Sequence, residues 1–177
     1  MNLTAEQLAS ALVCHIDRAT KWIDALNTAM DEFEINTPKR AAAFVAQIGH
    51  ESGRLVYVRE IWGPTHQQQG YEGRADLGNL YLGDGRKYCG RGLIQITGRA
   101  NYKTCGDALG LDLESSPQLL EQPLIAARSA AWYWQKHGCN ELADAGSFRS
   151  ITRAINGGLN GLDERIALLE TASEAMA

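Results

Sequence analysis

Apolar residues recur every three to four positions along most of the chain, and this spacing predicts a mainly helical protein. Capping residues mark helix starts: Gln7 follows Thr4 by three positions, as in a capping box, and Pro38 follows Thr37. The periodic segments predict further helices over residues 20–33, 38–51, 99–109, 123–137, 147–155 and 163–176, with another helix start at residues 115–117.

The stretch of residues 63–92 breaks this periodicity and predicts a loop, because it holds eight of the 18 glycines. A loop of this length is uncommon in a compact domain unless it is functional, for example as the wall of a cleft. Its aromatic residues suit the flat apolar faces of sugar rings, but anchoring the loop to the core is an equal alternative. They are Trp62, Tyr71, Tyr81 and Tyr88.

In two other segments, the sequence pattern predicts which side chains face a cleft and which face the core. Polar and apolar residues alternate at the end of residues 90–97, which predicts a short half-buried strand with Gln95 and Thr97 on the face toward a cleft. Within the helix predicted over residues 123–137, one of Trp132 and Trp134 must face inward, so we expect these tryptophans to belong mainly to the core.

Two carboxylates stand out beside the helix predicted over residues 38–51. Glu51 follows Ile48 by three positions, at the end of the apolar stripe, and Glu60 follows nine residues later. A carboxyl group at the border of the core suits a general acid, since burial favours its protonated form. Two carboxylates are the minimal equipment for cleaving a glycosidic bond. The alternative is that Glu51 forms a helix-end ion pair and Glu60 is a solvated strand residue.

Short motifs extend this pattern over most of the chain, in one order: His50-Glu51-Ser52-Gly53, Gly70-Tyr-Glu-Gly-Arg74, Leu77-Gly-Asn79, Gly83-Asp-Gly-Arg-Lys-Tyr88, Gly90-Arg-Gly-Leu-Ile-Gln-Ile-Thr-Gly-Arg-Ala-Asn-Tyr102 and Ile155-Asn-Gly-Gly-Leu-Asn-Gly161. Together they resemble glycoside hydrolase family 19, which contains chitinases and many phage or prophage endolysins. The short, single-module form looks more like the endolysin branch than the disulfide-linked plant chitinase branch. The resemblance implies a lysozyme-like, two-lobed helical domain with a substrate cleft and a small region of loops and short strands, and a single catalytic domain over residues 1–177.

The resemblance also implies a catalytic mechanism. Glu51 would be the general acid, Glu60 the general base, and Thr97 the hydroxyl residue that helps to hold the attacking water. Inversion predicts that the two carboxyl groups lie about 6.5–9.5 Å apart, leaving room for that water. Glu72, in a loop flanked by glycines, is the rival for the second carboxylate.

Further residues are implied to bind substrate or to support the site. An arginine near Glu60 would keep it ionised while Glu51 stays protonated, and Arg165 resembles the supporting arginine of the family, with Arg153 as a second candidate. The implied substrate-binding set is His50, Glu72, Tyr88, Gln95, Asn101, Asn156 and Arg165.

The composition limits the classes of binding partner that we expect. The net charge of −4 gives no overall field that attracts nucleic acid, so we expect none as a partner. No apolar run reaches the ~18 residues of a membrane span, so no membrane insertion is expected. The four cysteines lack a Cys-x-x-Cys pair and the four histidines are scattered, so we expect no metal and no cofactor. An even number of cysteines permits two disulfides, but a chain made without a signal peptide sits first in a reducing compartment, so we expect free thiols. We expect a monomer.

The expected substrate is peptidoglycan, with β-1,4 bonds between N-acetylated amino sugars, and chitin is the alternative. The N-terminus lacks a basic patch followed by an apolar core, so we expect no signal peptide. The endolysin resemblance implies synthesis in the cytoplasm of a bacterial host and action on the cell wall after release, through a holin if the protein is phage-encoded. A non-catalytic sugar-binding protein and a lytic transglycosylase, which needs one acid and no water, are the competing classes.

Overall fold

The computed structural model describes residues 1–177 and is almost entirely helical. Its ten α-helices are α1 (Ala5–Leu12), α2 (Ile16–Glu32), α3 (Pro38–Glu51), α4 (His66–Gln69), α5 (Asp84–Lys87), α6 (Arg99–Leu109), α7 (Pro123–Lys136), α8 (Cys139–Asp144), α9 (Phe148–Asn156) and α10 (Leu162–Ala175). Two 3₁₀ turns cover Ala75–Leu77 and Pro117–Glu121. The mainly helical class predicted from the periodicity is confirmed.

The helix starts follow from capping chemistry. Thr4 and Gln7 form the predicted capping box at α1, and the Thr37 hydroxyl accepts from the backbone of Arg40 at the start of α3. Helix α2 begins four residues before the predicted start, because the imidazole of His15 caps it. Helix α8 was not predicted, since its six residues are too few to show an apolar period.

Helix α3 lies at the centre of one apolar core that runs from Leu3 to Met176. Every residue from Ala41 to Gly49 is buried, so α3 is covered on all sides, with α10, α1 and α8 packed around it. The ring of Phe44 packs edge-on against Trp134 of α7, with ring centroids 5.4 Å apart. This packing holds the end of α3, where Glu51 lies, in a fixed position.

The expected short strands do not form, which corrects that part of the prediction. Residues 90–97 form a turn closed by an isolated bridge between Arg91 and Ile96, and a second bridge joins Arg91 to Arg59. Gln95 takes a positive φ of 57°, which no strand residue adopts. Leu93 is buried together with its neighbour Ile94, so the alternation fails there.

The long loop is held at several points rather than being free. The Glu72 carboxylate accepts hydrogen bonds from the backbone N–H groups of Gly83 and Gly85, at 2.5 and 2.9 Å. Asp84 forms an ion pair with Arg99 of α6 at 2.6 Å. These contacts tie the loop to itself and to α6. None of the ten helices is both long enough and apolar enough to cross a bilayer.

Candidate active site

Glu51 ends α3 and forms an ion pair with Arg165 of α10, at 2.5 Å between Oε1 and Nη2. The side chain of Arg165 is 1% exposed and that of Glu51 20%, so the carboxylate reaches the surface while the guanidinium lies in the core. Arg165 therefore supports one of the two candidate carboxylates, Glu51, and does not supply the arginine expected near Glu60. Arg153 does not supply one either, because it is exposed on α9 and lines a separate groove beside Leu169.

Glu60 is held by neutral donors. Its Oε1 accepts from the amide of Gln68 at 2.9 Å and from the hydroxyl of Tyr71 at 3.3 Å, and its Oε2 accepts from the backbone of Gly90 at 3.0 Å. Burial raises the pKa of Tyr71, and the negative charge of Glu60 raises that pKa further. The Tyr71 hydroxyl therefore keeps its proton and donates it to Glu60.

A left-handed turn connects the two carboxylates. Gly53, Arg54 and Leu55 have φ values of 57°, 60° and 66°, a conformation that costs energy at the two residues that are not glycine. The hydroxyl of Ser52 closes the turn by accepting from the backbone of Leu55 at 2.8 Å. The chain thus turns directly after Glu51, and Glu60 follows where the chain meets Gly90.

Gly90 brings Glu60 together with Gln95 and Thr97. Its backbone N–H donates to Glu60, and a methyl group built on its Cα would lie 2.7 Å from Gln95 Oε1 and 3.3 Å from Thr97 Oγ1. The Thr97 hydroxyl donates to the carbonyl of Gln95 at 3.0 Å, so its oxygen is free to accept a hydrogen bond from a water or a sugar.

A cleft of about 330 Å³ opens beside these residues. Its eleven lining residues include three of the predicted site residues, and in full they are Leu77, Ile94, Gln95, Ile96, Thr97, Asn101, Trp132, Tyr133, Lys136, His137 and Ile155. Burial raises the pKa of Tyr133, with smaller contributions from Cys139 and from the charge of Glu51. The cleft thus lies beside Gln95 and Thr97, and neither Glu51 nor Glu60 is among its lining residues.

The α7 side of the cleft contains residues that were not predicted from the sequence. Trp134 is fully buried, as expected, but Trp132 turns toward the cleft, and Lys136 Nζ lies 4.9 Å from its ring centroid. A spacing of four places Trp132 and Lys136 on one helix face. This spacing is the sequence signal that could have placed Trp132 and Lys136 together.

Comparison with known proteins identifies the family. The family model described as Chitinase class I, glycoside hydrolase family 19, matches residues 14–145. The chain belongs to glycoside hydrolase family 19. It is therefore a glycoside hydrolase, as the motifs implied.

Relatives of this family 19 chain occur in bacteria and plants. A Haemophilus influenzae protein named as containing a glycosyl hydrolase family 19 domain is 39% identical over 155 residues, which cover 72% of this chain and 75% of that protein. An Arabidopsis thaliana endochitinase is 32% identical over 137 residues, which cover 77% of this chain and 50% of the plant protein. The chain thus spans about half the length of that plant enzyme.

Solved structures share the fold. A bacterial family 19 chitinase superimposes with a TM-score of 0.79 at 28% identity, over 99% of this chain and 95% of that one. Chitinase C from Streptomyces griseus gives a TM-score of 0.78 at 27% identity, over 98% of this chain and 76% of that one. The helical fold is therefore that of family 19 chitinases.

Within this family 19 structure, two residues expected to bind substrate instead hold the protein together. Tyr88 is fully buried and donates its hydroxyl to the carbonyl of Glu114 at 3.0 Å, so it anchors the loop and does not face the cleft. Glu72 uses both carboxylate oxygens on the backbone of the loop. Glu72 therefore fixes the backbone around Gly83 and Gly85, and it does not contact Glu60, Gln95 or Thr97.

The other residues expected to bind substrate lie near Glu51 or the cleft. His50 bonds through Nδ1 to Glu164 at 2.8 Å, and its ring packs against Gly161. Asn101 donates to the carbonyl of Thr97 at 2.7 Å. Asn156 follows the cleft residue Ile155, and its buried Nδ2 has no hydrogen-bond partner. An unpaired buried donor is costly, and a ligand oxygen would satisfy it.

No three His, Cys, Asp or Glu side chains converge on a point that could hold a metal ion. All four cysteines are free thiols, as predicted, and only Cys14 is not buried.

Proposed function

We propose that this family 19 glycosidase hydrolyses β-1,4 bonds between N-acetylated amino sugars with inversion. Glu51 acts as the general acid and protonates the leaving oxygen. Glu60 acts as the general base and takes a proton from a water whose other hydrogen is accepted by Thr97. The water attacks the sugar carbon from the face opposite the leaving group, which inverts that centre.

The proposal rests on the arrangement around Gly90, where Glu60, Gln95 and Thr97 lie close together. Three neutral donors hold the Glu60 carboxylate, and the nearby Thr97 oxygen can accept. A water between them would therefore donate to both oxygens, which is the orientation that a general base requires. The acid role of Glu51 is proposed from its place in the His50-Glu51-Ser52 motif, and its ion pair with Arg165 fixes the position of the carboxyl group.

The substrate we propose is a chain of β-1,4-linked N-acetylated hexosamines, with chitin oligosaccharides as its simplest form. The plant relative and the structural neighbours carry the name chitinase, which supports chitin. Peptidoglycan has the same linkage between N-acetylated sugars, and the endolysin resemblance of the motifs favours it. If peptidoglycan is the natural substrate, the protein acts on the cell wall after release from the host cytoplasm.

The first experiment measures cleavage of soluble chitin oligosaccharides and of purified peptidoglycan by the wild type, Glu51→Gln and Glu60→Gln. Glu170→Gln is the matched control, because Glu170 is exposed on α10 and has no ion-pair partner. We expect each active-site variant to lose about a hundredfold or more in kcat and the control to keep the wild-type rate.

Proton NMR of the fresh products distinguishes the mechanisms. Inversion releases the α-anomer from a β-linked chain, retention releases the β-anomer, and a transglycosylase releases an anhydro sugar. The absence of cleavage of both polymers by the folded wild type would overturn the proposed function. Full activity of Glu60→Gln would remove Glu60 as the base.

A further inference from the structure

Gln47 is a fully buried amide on α3, among residues that are otherwise apolar. Its Oε1 accepts from Nη1 of Arg165 at 2.5 Å, and its Nε2 donates to the hydroxyl of Thr152 on α9 at 2.9 Å. Leaving either end unpaired in the core would cost about 1–3 kcal/mol. Both ends are paired, so this amide links α9 to the guanidinium that holds Glu51.

The direction of this chain of hydrogen bonds is set by Thr152. Its hydroxyl donates to the carbonyl of Phe148 at 3.1 Å, so it must accept from Gln47. The carbonyl oxygen of the Gln47 amide therefore faces Arg165. With the amide reversed, its NH₂ group would meet a guanidinium, and two donors would oppose each other.

Each of the three guanidinium nitrogens of Arg165 donates a hydrogen bond in this arrangement. Its Nη1 donates to Gln47, its Nε to the carbonyl of Asn160 at 3.1 Å, and its Nη2 to Oε1 of Glu51. A guanidinium donates hydrogen bonds and accepts none. When Glu51 is protonated, the proton must therefore lie on Oε2, the oxygen that does not face Arg165.

We propose that Gln47 and Thr152 are positioning residues for the acid. Acting through Arg165, they fix which oxygen of Glu51 carries the proton and where that oxygen lies. This inference rests on the proposed role of Glu51 as the general acid. Neither residue touches substrate, so their effect belongs to the chemical step and not to binding.

The test compares Thr152→Val, which has the same shape without the hydroxyl, with Thr152→Ser, which keeps the hydroxyl. We expect Thr152→Val to lower kcat about tenfold or more with KM within about twofold, because misplacing a reacting group lowers the rate of the chemical step. We expect Thr152→Ser to recover most of kcat. Gln47→Glu is the second variant, because it keeps an acceptor for Arg165 but loses the donor to Thr152 and competes with Glu51 for the guanidinium.

Thr171→Val is the matched control for stability. The Thr171 hydroxyl donates to the carbonyl of Ala11 at 2.8 Å and joins α10 to α1, away from Glu51. We expect this variant to lose stability but to keep kcat. An equal fall in kcat for Thr171→Val and Thr152→Val would overturn the positioning role, and so would a rise in KM alone or an unchanged kcat in Thr152→Val.

NMR of the Arg165 guanidinium gives a readout that does not need a substrate. In the wild type, we expect separate Nη resonances, because hydrogen bonds at both Nη atoms restrict rotation about the Cζ–Nη bonds. In Thr152→Val, we expect these resonances to broaden or merge. If the wild type cleaves neither polymer, the proposed function fails, yet this spectrum still decides whether Thr152 orders Arg165, and unchanged resonances overturn that ordering.

Discussion

Arg165 on α10 and Glu51 at the end of α3 are 114 positions apart in the chain and form an ion pair at 2.5 Å. The guanidinium also bonds to Gln47 and to the backbone of Asn160. The orientation of Glu51, the proposed general acid, therefore depends on the last helix of the fold. The two carboxylates differ in their partners: Glu51 pairs with a cation, whereas Glu60 accepts hydrogen bonds from neutral donors.

Replacing Arg165 by lysine should keep the charge but lose the fork of donors. A lysine cannot bond to Glu51, Gln47 and Asn160 at once, so we expect kcat to fall about tenfold to a hundredfold and the free energy of unfolding to fall by about 1–3 kcal/mol. Kinetics on the cleaved substrate and urea denaturation measure the two effects. Arg153→Lys is the control, since Arg153 is exposed, and equal losses in both variants would contradict the assignment.

Adding a methyl group at Gly90 should block the site without unfolding the protein. The backbone of Gly90 does not require a positive φ, but the new Cβ would lie 2.7 Å from Gln95 Oε1 and 3.3 Å from Thr97 Oγ1. We expect Gly90→Ala to lower kcat about tenfold or more, because Gln95 and Thr97 must move. Gly158→Ala, where a methyl group meets open space, should keep the wild-type rate. Wild-type kinetics for Gly90→Ala would exclude a water held between Glu60 and Thr97.

The Asp84–Arg99 ion pair should make stability depend on acid pH. The hydrogen bonds from Arg99 hold the pKa of Asp84 below its usual value, against the opposing effect of burial. The pair therefore stabilises the folded state above the ordinary Asp pKa of about 3.9, and this contribution is lost as the pH falls through the lowered pKa.

We expect Asp84→Asn to lose about 2 kcal/mol of unfolding free energy near pH 7 and to show a shallower decline below about pH 4 than the wild type. Urea denaturation over that pH range measures both. Asp107→Asn is the control, because its partner Lys103 is exposed and such surface pairs contribute about 0–1 kcal/mol. Parallel pH curves for the wild type and Asp84→Asn would contradict the prediction.

The thiols should differ in reactivity. Burial raises the pKa of Cys105 and of Cys139 to about 12, and Cys89 is fully buried. Thiolate is the reactive form, so only the half-buried Cys14 should react with a disulfide reagent in the native protein. We expect about one thiol to be titrated before unfolding and all four afterwards. Rapid reaction of more than one thiol in the folded state would contradict this.

Most of the helical framework could be predicted because its signals are local. Thr37 and Pro38 mark the start of α3, and Gly110 takes the left-handed conformation that ends α6. The turn at residues 90–97 could not be predicted in this way. Its alternation was compatible with a strand, but the positive φ of Gln95 depends on close packing against Gly90, which the local pattern does not contain.

Site residues could be predicted where they belong to a sequence motif, but not where tertiary contacts decide their role. Gln95, Thr97 and Asn101 line the cleft as expected. Nothing in the spacing indicates that Arg165 meets Glu51 and not Glu60, because that choice depends on how α10 packs on α3. Tyr88 resembles a sugar-binding aromatic in sequence, yet it packs edge-on with the buried Tyr102, 5.2 Å between ring centroids.

Glu51 and Glu60, the proposed acid and base, belong to regions of different architecture. Glu51 is tied to α3 and α10 in the core, whereas all three donors to Glu60 come from the segment of residues 68–90. Local opening in proteins begins where few apolar contacts hold the chain, and this segment contains only short helices. Gentle heating should therefore break the hydrogen bonds to Glu60 before those to Glu51. Amide hydrogen exchange would then accelerate in residues 68–90 while α3 stays protected, and the enzyme would lose activity while its core is still folded.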